Sequence, residues 1–137
     1  MMKTENKIVF ASVENAGRSQ MAAAWFNVIA HPEKARAFCG GTNPAAAIHP
    51  EVLNTMYEMG MDLRVVAPQK LTGEMLGDAT HVITLSGAET CPVVPASAKR
   101  IDWSFDDPKG KTQGEIRKIR NDIRAQVAQF IQEKNWT

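Results

Sequence analysis

Eight consecutive residues, Ser12-Val13-Glu14-Asn15-Ala16-Gly17-Arg18-Ser19, are mostly small or polar and lie between two apolar stretches. Between a strand and a helix, such a segment offers consecutive backbone N–H groups. It also offers a helix start, whose first N–H groups lack intrahelical partners and whose dipole favours negative charge. Arg18 adds a planar fork of donors suited to an oxyanion. A tetrahedral oxyanion such as phosphate or arsenate is the natural guest. The alternative is an ordinary strand-to-helix turn that leaves Arg18 on the surface.

The elements that must position this segment can be read from apolar spacing. Ile8-Val9-Phe10-Ala11 is a short apolar run of the kind a buried central strand shows. Met21, Ala22, Trp25, Phe26, Val28 and Ile29 then recur at helical spacing until His31-Pro32 stops them. Residues 35–39 read as a second strand, turned by Gly40-Gly41-Thr42-Asn43-Pro44. A helix starts at His49-Pro50, with Val52, Leu53, Met56, Tyr57 and Met59 as its apolar face and Gly60 as its cap. Residues 71–76 suggest a short helix, and residues 81–85 and 99–103 two further strands. Ile116, Ile119, Ile123, Val127, Phe130 and Ile131 line one face of a last helix. Arg117, Lys118, Arg120 and Arg124 fall off that stripe, as a solvated face would. Alternating strands and helices imply an α/β fold: a single three-layer domain over residues 1–137, with an approximately four-stranded parallel sheet covered by helices on both faces. Ligands of such sheets bind beyond the carboxyl ends of the strands, where the 12–19 loop lies.

Composition narrows the function classes. The chain has 137 residues, 16 Lys+Arg against 15 Asp+Glu, and 44% hydrophobic residues, so disorder is excluded as its main state. A formal charge of +1 argues against nucleic-acid binding, which draws on a cationic field. No apolar run approaches the roughly 18 residues that span a bilayer, and MMKTENKIVFAS does not read as a secretory signal. The expectation is therefore a cytoplasmic protein with no membrane contact, and a monomer by default for this size. Cys39 and Cys91 are too few for a disulfide scaffold and match no zinc spacing. Cys39, inside a strand, reads as core, and Cys91, beside Pro92, Val93 and Val94, reads on its own as a small buried thiol. His49 and His81 read as structural residues at element starts.

The stretch from Val9 to Ala22 closely resembles the oxyanion loop of the low-molecular-weight phosphotyrosine phosphatase superfamily, and in particular its arsenate reductase branch. That pattern is Cys, five residues, Arg, Ser, with Asn three after the Cys; Asn15, Arg18 and Ser19 fit it. Gly41-Thr42-Asn43-Pro44 with His49-Pro50, Thr84-Leu85-Ser86-Gly87 through Cys91-Pro92, Trp103 to Pro108, and the Ile116-Arg117-Lys118-Ile119-Arg120 helix resemble the same branch in register. The resemblance implies arsenate reduction to arsenite, for arsenic detoxification, through a thiol–arsenic intermediate. Arg18 and the N–H groups of residues 12–19 would hold the oxyanion, and Asp107, immediately before Pro108, would be the general acid, with Asp106 its neighbouring rival. Ser19 would donate to the thiolate, and Asn15 would hold the loop in shape. A second cysteine, Cys91, would attack the adduct and leave a disulfide for thioredoxin or a low-molecular-weight thiol to reduce. No tightly bound cofactor is implied. Nor is a metal, because Ala23 occupies the position where potassium-binding relatives carry an acidic residue.

Two positions depart from the pattern. Ser12 stands where the nucleophilic cysteine belongs, and a hydroxyl does not gain there the lowered pKa that activates a thiol. The chain as written should bind oxyanion and turn over slowly or not at all. An engineered Cys-to-Ser exchange is the expected origin, with a natural binding-only homologue as the alternative. Ser86 stands where a first redox cysteine is expected, although Gly87 can align there instead; Ser86 is either a second exchange or an ordinary loop serine. Competing readings are a low-molecular-weight tyrosine phosphatase, with Tyr57, Trp103 and Phe105 as the available rings, and a non-catalytic oxyanion-binding module.

Overall fold

The computed structural model describes residues 6–85 and 94–137. Ser86 and Cys91, named above for redox chemistry, lie outside the described residues. Four strands, β1 (Asn6–Ser12), β2 (Ala35–Gly41), β3 (His81–Thr84) and β4 (Lys99–Asp102), form one sheet in the order β2-β1-β3-β4. Every pairing is parallel, with Ser12 beside Gly41 and Ala11 beside Thr84. Among the described residues four α-helices accompany it, α1 (Arg18–Ile29), α2 (Pro50–Tyr57), α3 (Gly73–Gly77) and α4 (Gln113–Lys134), with a short 3-10 turn at Leu63–Val65.

The apolar run of β1 is continuous because both of its faces are covered. Ile8 and Phe10 enter a large core with Met21, Phe26, Val52, Ile83, Ile123 and Ile131, which joins α1, α2 and α4 on one side. Val9 and Ala11 face the other way, onto Leu71, Leu76, Ala79 and Val82 around α3. These two faces are the expected three layers. Parallel strands buried on both faces read as uniform apolar runs rather than alternating ones. With β1 central and the strand order reversing around it, the crevice at the topological switch opens at the carboxyl end of β1.

The β2 edge is closed by amide side chains. Asn27 on α1 accepts from the Ala37 N–H at 2.8 Å and donates to its carbonyl at 2.9 Å, and Gln69 Nε2 donates to the Cys39 carbonyl at 2.9 Å. Such pairing removes the free ladder that an edge strand otherwise shows to other chains. The strand also runs two residues further than apolar content suggested. Gly40 and Gly41, read above as a turn, are its last residues, and Gly41 bonds to residues 69–71 at 2.8 and 3.0 Å.

Two details of the helices differ from the sequence reading. Helix α2 ends at Tyr57 rather than running to Met59, and Gly60 turns the chain beyond it at φ +81°. Arg120, read as part of a solvated face, is buried: it donates to the Thr55 carbonyl at 2.8 Å and to Glu58 at 2.9 Å. Arg117 reaches the same carboxylate at 2.6 Å, and hydrogen bonds from Arg117 and then Arg120 hold Glu58 down to about 2. The α2–α4 seam is thus apolar with one buried guanidinium, supplied by a residue that helical spacing alone places outside. A Thr112–Glu115 capping box starts α4, and Asn135 ends it in the left-handed conformation.

His81 opens β3 and is buried, as its apolar context suggested. Its ring meets Phe130 and Trp136 edge-on at 5.8 and 5.5 Å, Nδ1 lies 2.9 Å from the Thr80 hydroxyl, and Nε2 finds no partner among the described residues. Burial first, then Lys134 and Lys99, push its pKa below the usual histidine range. The folded state therefore favours neutral His81. This contribution to stability is present above the unfolded pKa of about 6.5 and is lost as pH falls below it. We expect the urea midpoint to drop between about pH 7 and pH 5, and the drop to shrink in His81→Phe. An unchanged slope in that variant would assign the acid sensitivity elsewhere.

Candidate active site

The loop joining β1 to α1 is shaped by the segment that follows β2. The carbonyls of Ser12, Val13, Glu14 and Ala16 accept from the N–H groups of Thr42, Asn43, Ala45 and His49, at 3.0, 2.8, 2.9 and 3.1 Å. In a trans peptide the carbonyl and the next N–H point in opposite directions, and the described residues contain no cis bond. Drawing those carbonyls outward therefore turns the N–H groups of Val13, Glu14, Asn15 and Gly17 inward. They face a cavity of about 340 Å3 lined by residues 12–18 with Asn43, His49 and Asp107. No side chain caps the start of α1 and no acidic residue lies in its first turn, so its positive end also opens on this cavity.

Two glycines permit the arrangement. A Cβ on Gly41 would collide with the Val13 carbonyl oxygen and lie 3.1 Å from the Asn15 nitrogen, so residues 42–49 could not approach. A Cβ on Gly17 would lie 2.8 Å from Pro108 Cγ, where the loop between β4 and α4 packs onto the cradle.

Asn15 organises the interior. It holds φ +53°, a conformation that Asn tolerates better than most side chains. Its Oδ1 accepts from the Gln69 backbone N–H at 3.0 Å and from Gln20 Nε2 at 3.0 Å, which fixes the amide orientation. Nδ2 is then directed to Ser19 Oγ at 2.8 Å, and the two hydroxyls of Ser19 and Ser12 meet at 2.7 Å. The Asn15 backbone N–H donates to Ser12 Oγ at 3.1 Å. With Ser19 accepting from Asn15, its own hydrogen is available to Ser12. The atom at position 12 thus sits where donors converge, an environment that stabilises an anionic nucleophile.

Arg18 closes one side. Its Nη1 donates to the Phe105 carbonyl at 2.7 Å, and its Nη2 lies 3.8 Å from Asp107 Oδ2. Burial pulls its pKa below the usual arginine range against the opposing charges of Asp107, Asp106 and Glu14, and the group remains cationic. Of the two candidate acids, Asp107 lines the cavity, whereas Asp106 lines a separate one against α4 with Lys111 and Lys118. Glu14 also faces the cavity, with its carboxylate 3.8 Å from Lys109 and 4.0 Å from His49.

Ser12, Asn15, Arg18, Ser19 and Asp107 are therefore brought together as the spacing and resemblance suggested. Cys39 is buried in β2, consistent with a core residue, and burial raises its pKa. His49, read as structural, occupies the N-cap position of α2 without a capping side-chain hydrogen bond, and also walls the cavity. Gln20, Gln69 and Asn43 escaped attention as site residues. Gln20 stood inside the recognised stretch, where its buried position was the missing signal, and nothing in local spacing marks Gln69.

Known proteins match this chain over most of its length. The family model described as low molecular weight phosphotyrosine protein phosphatase matches residues 7–135. An arsenate reductase of Brevibacillus brevis is 31% identical over 141 residues, covering 96% of this chain and 98% of that protein. Arsenate reductase 2 of Staphylococcus epidermidis is 31% identical over 125 residues, covering 90% and 94%. Among solved structures, the thioredoxin-dependent arsenate reductase of Corynebacterium glutamicum superposes with a TM-score of 0.80 at 27% identity, covering 97% of this chain and 63% of that longer one.

The close approach at Gly41 gives a direct test of the loop geometry. Gly41→Ala should destabilise the chain by about 1–3 kcal/mol in urea unfolding, as overpacking does. Gly114→Ala, in α4 with nothing near its Cβ position, should be neutral or stabilising by up to about 1 kcal/mol. Equal effects at the two glycines would contradict the packing described.

Proposed function

The chain belongs to the low molecular weight phosphotyrosine protein phosphatase family, and on that premise we propose that its site is that of an arsenate reductase, with Ser12 standing where the reacting thiol belongs. The observation that carries this reading within the family is the composition of the cavity. Among the described residues its lining has no phenyl, phenol or indole ring. A tyrosine phosphatase would use such rings to hold its aryl group. The rings at hand are engaged elsewhere: Trp103 packs on Phe10 and Phe130 at 6.0 and 5.7 Å, and Tyr57 is exposed on α2. A polar pocket of this size suits an inorganic tetraoxyanion. The relatives named above add support, since they are arsenate reductases over nearly the whole of this chain.

In this reading the inward N–H groups of Val13, Glu14, Asn15 and Gly17, with Arg18, bind arsenate and hold the charge that develops on its oxygens. With a thiol at position 12, the donors from Asn15 and Ser19 favour the thiolate, which attacks arsenic. Asp107 gives its proton to the departing oxygen. Cys91 then attacks the sulfur bonded to arsenic; arsenic leaves as arsenite, reduced by two electrons, and the two sulfurs are oxidised to a disulfide. A thiol reductant, thioredoxin or a low-molecular-weight thiol, restores the pair. Ser86 is proposed as a further position in that relay, in the place of a second thiol. A serine at position 12 keeps the binding half of this scheme and lacks the thiol half. A non-catalytic oxyanion-binding module is the second reading, and Ser12 is the residue that favours it.

Two measurements test the assignment. The chain as it stands should bind arsenate and phosphate in calorimetric titration, and Arg18→Ala should abolish the heat of binding. Ser12→Cys should confer arsenate reduction with a thioredoxin-type or glutathione-type reductant, and Cys91→Ser in that background should remove turnover. Binding without any activity in Ser12→Cys would favour the non-catalytic module, whereas unchanged binding in Arg18→Ala would remove the site altogether.

A further inference from the structure

The cavity carries more negative charge than an anion site needs. Among the described residues one guanidinium, Arg18, lines it, against two carboxylates, Asp107 and Glu14. Asp107 has a use in the proposed chemistry, and Glu14 has none. Its backbone contributes an N–H, but its side chain places a carboxylate beside the position of an incoming anion. The groups that face it are the Lys109 ammonium from the loop between β4 and α4, at 3.8 Å and two-thirds exposed, and the His49 imidazole at the start of α2, at 4.0 Å. Arg18 faces it from α1, while Asp106 and Asp107 add negative charge to the same group of residues. A solvent-exposed pair with Lys109 offsets the carboxylate only weakly.

We propose that Glu14 is the specificity-determining residue of this site: it accepts a hydrogen bond from a protonated oxygen of the anion, so that the site takes hydrogen arsenate and hydrogen phosphate and rejects sulfate. The inference rests on the oxyanion-site reading given above and adds the selection rule. Near neutral pH, hydrogen phosphate and sulfate have the same charge, nearly the same shape and four oxygens each. They differ in one proton. The inward N–H groups and Arg18 are donors only, so they treat both anions alike. An ionised carboxylate can only accept, and it meets either an O–H or a bare lone pair. Against sulfate, Glu14 meets a bare oxygen and is repelled, the kind of mismatch that gives specificity by rejecting the wrong ligand. A cell that contains sulfate and must bind arsenate needs such discrimination, and size cannot provide it.

The test is calorimetric titration of the chain with phosphate, arsenate and sulfate separately, at neutral pH and constant ionic strength, repeated on Glu14→Gln and Glu14→Ala. For the unaltered chain, sulfate should bind at least about tenfold more weakly than phosphate, a difference of about 1.4 kcal/mol. In both variants the ratio should narrow to within about threefold, chiefly through a gain in sulfate affinity. Equal binding of sulfate and phosphate by the unaltered chain overturns the proposal and leaves the oxyanion site intact. A ratio that persists in both Glu14 variants but collapses in Asp107→Asn overturns it in favour of Asp107. Absence of phosphate and arsenate binding by the unaltered chain would overturn the oxyanion-site reading itself, and the selection rule with it.

Discussion

Four hydrogen bonds, from the N–H groups of Thr42, Asn43, Ala45 and His49 to the carbonyls of Ser12, Val13, Glu14 and Ala16, are the constraint on which the site depends. A loop of small residues has many conformations, and most would leave its carbonyls facing the cavity, where they would repel an anion. Pairing those carbonyls with the neighbouring segment leaves the loop's backbone amide hydrogens, rather than its carbonyls, turned inside. Selection of donors over acceptors is thus done by the outside of the loop. Gly41 lets the two segments meet, and the parallel register that sets Ser12 beside Gly41 brings them level. The sheet reaches the site through Ser12, the last residue of β1, and supplies the alignment of the rest.

A second layer of control runs through side-chain amides. Asn15 is held by Gln20 and Gln69, and in turn directs Ser19 and Ser12. Neutral amides suit this place because they present a donor and an acceptor at a fixed spacing without adding charge to a buried site. Arg18, by contrast, spans two parts of the chain: its backbone starts α1 and its guanidinium reaches the Phe105 carbonyl. The candidate acid next door, Asp107, is therefore positioned by the same residue that would hold the anion.

How far the sequence could be read follows from the range of the interactions. The β1–loop–α1 unit was legible because its signals are local: an apolar run, a polar interruption, then helical spacing. Arg18, Asn15 and Ser19 could be assigned because their separations along one short segment match a pattern. Arg120 was misplaced because helical spacing distinguishes apolar from polar, and a guanidinium that finds Thr55 and Glu58 across a seam is buried for reasons held by another helix. Gln69 and His49 were missed as site residues for the same cause, since each earns its place through a partner far away in sequence. The end of β2 was read as a turn because glycine breaks local patterns, whereas here it answers a tertiary contact.

The cradle is assembled from residues 12–18, 42–49 and 105–108, which lie on three separated stretches of chain. Until all three have met, there is no group of inward donors to offer an anion. Contacts of such large sequence separation form after the loop-closure entropy has been overcome, late along the folding path. An anion held by this cradle, as proposed, would have affinity for the native state and little for anything before it, and would stabilise by mass action. Its effect should fall on the unfolding rate and leave the refolding rate almost unchanged. In a cell where oxyanion levels vary, the lifetime of the folded chain would then follow the supply of its own ligand.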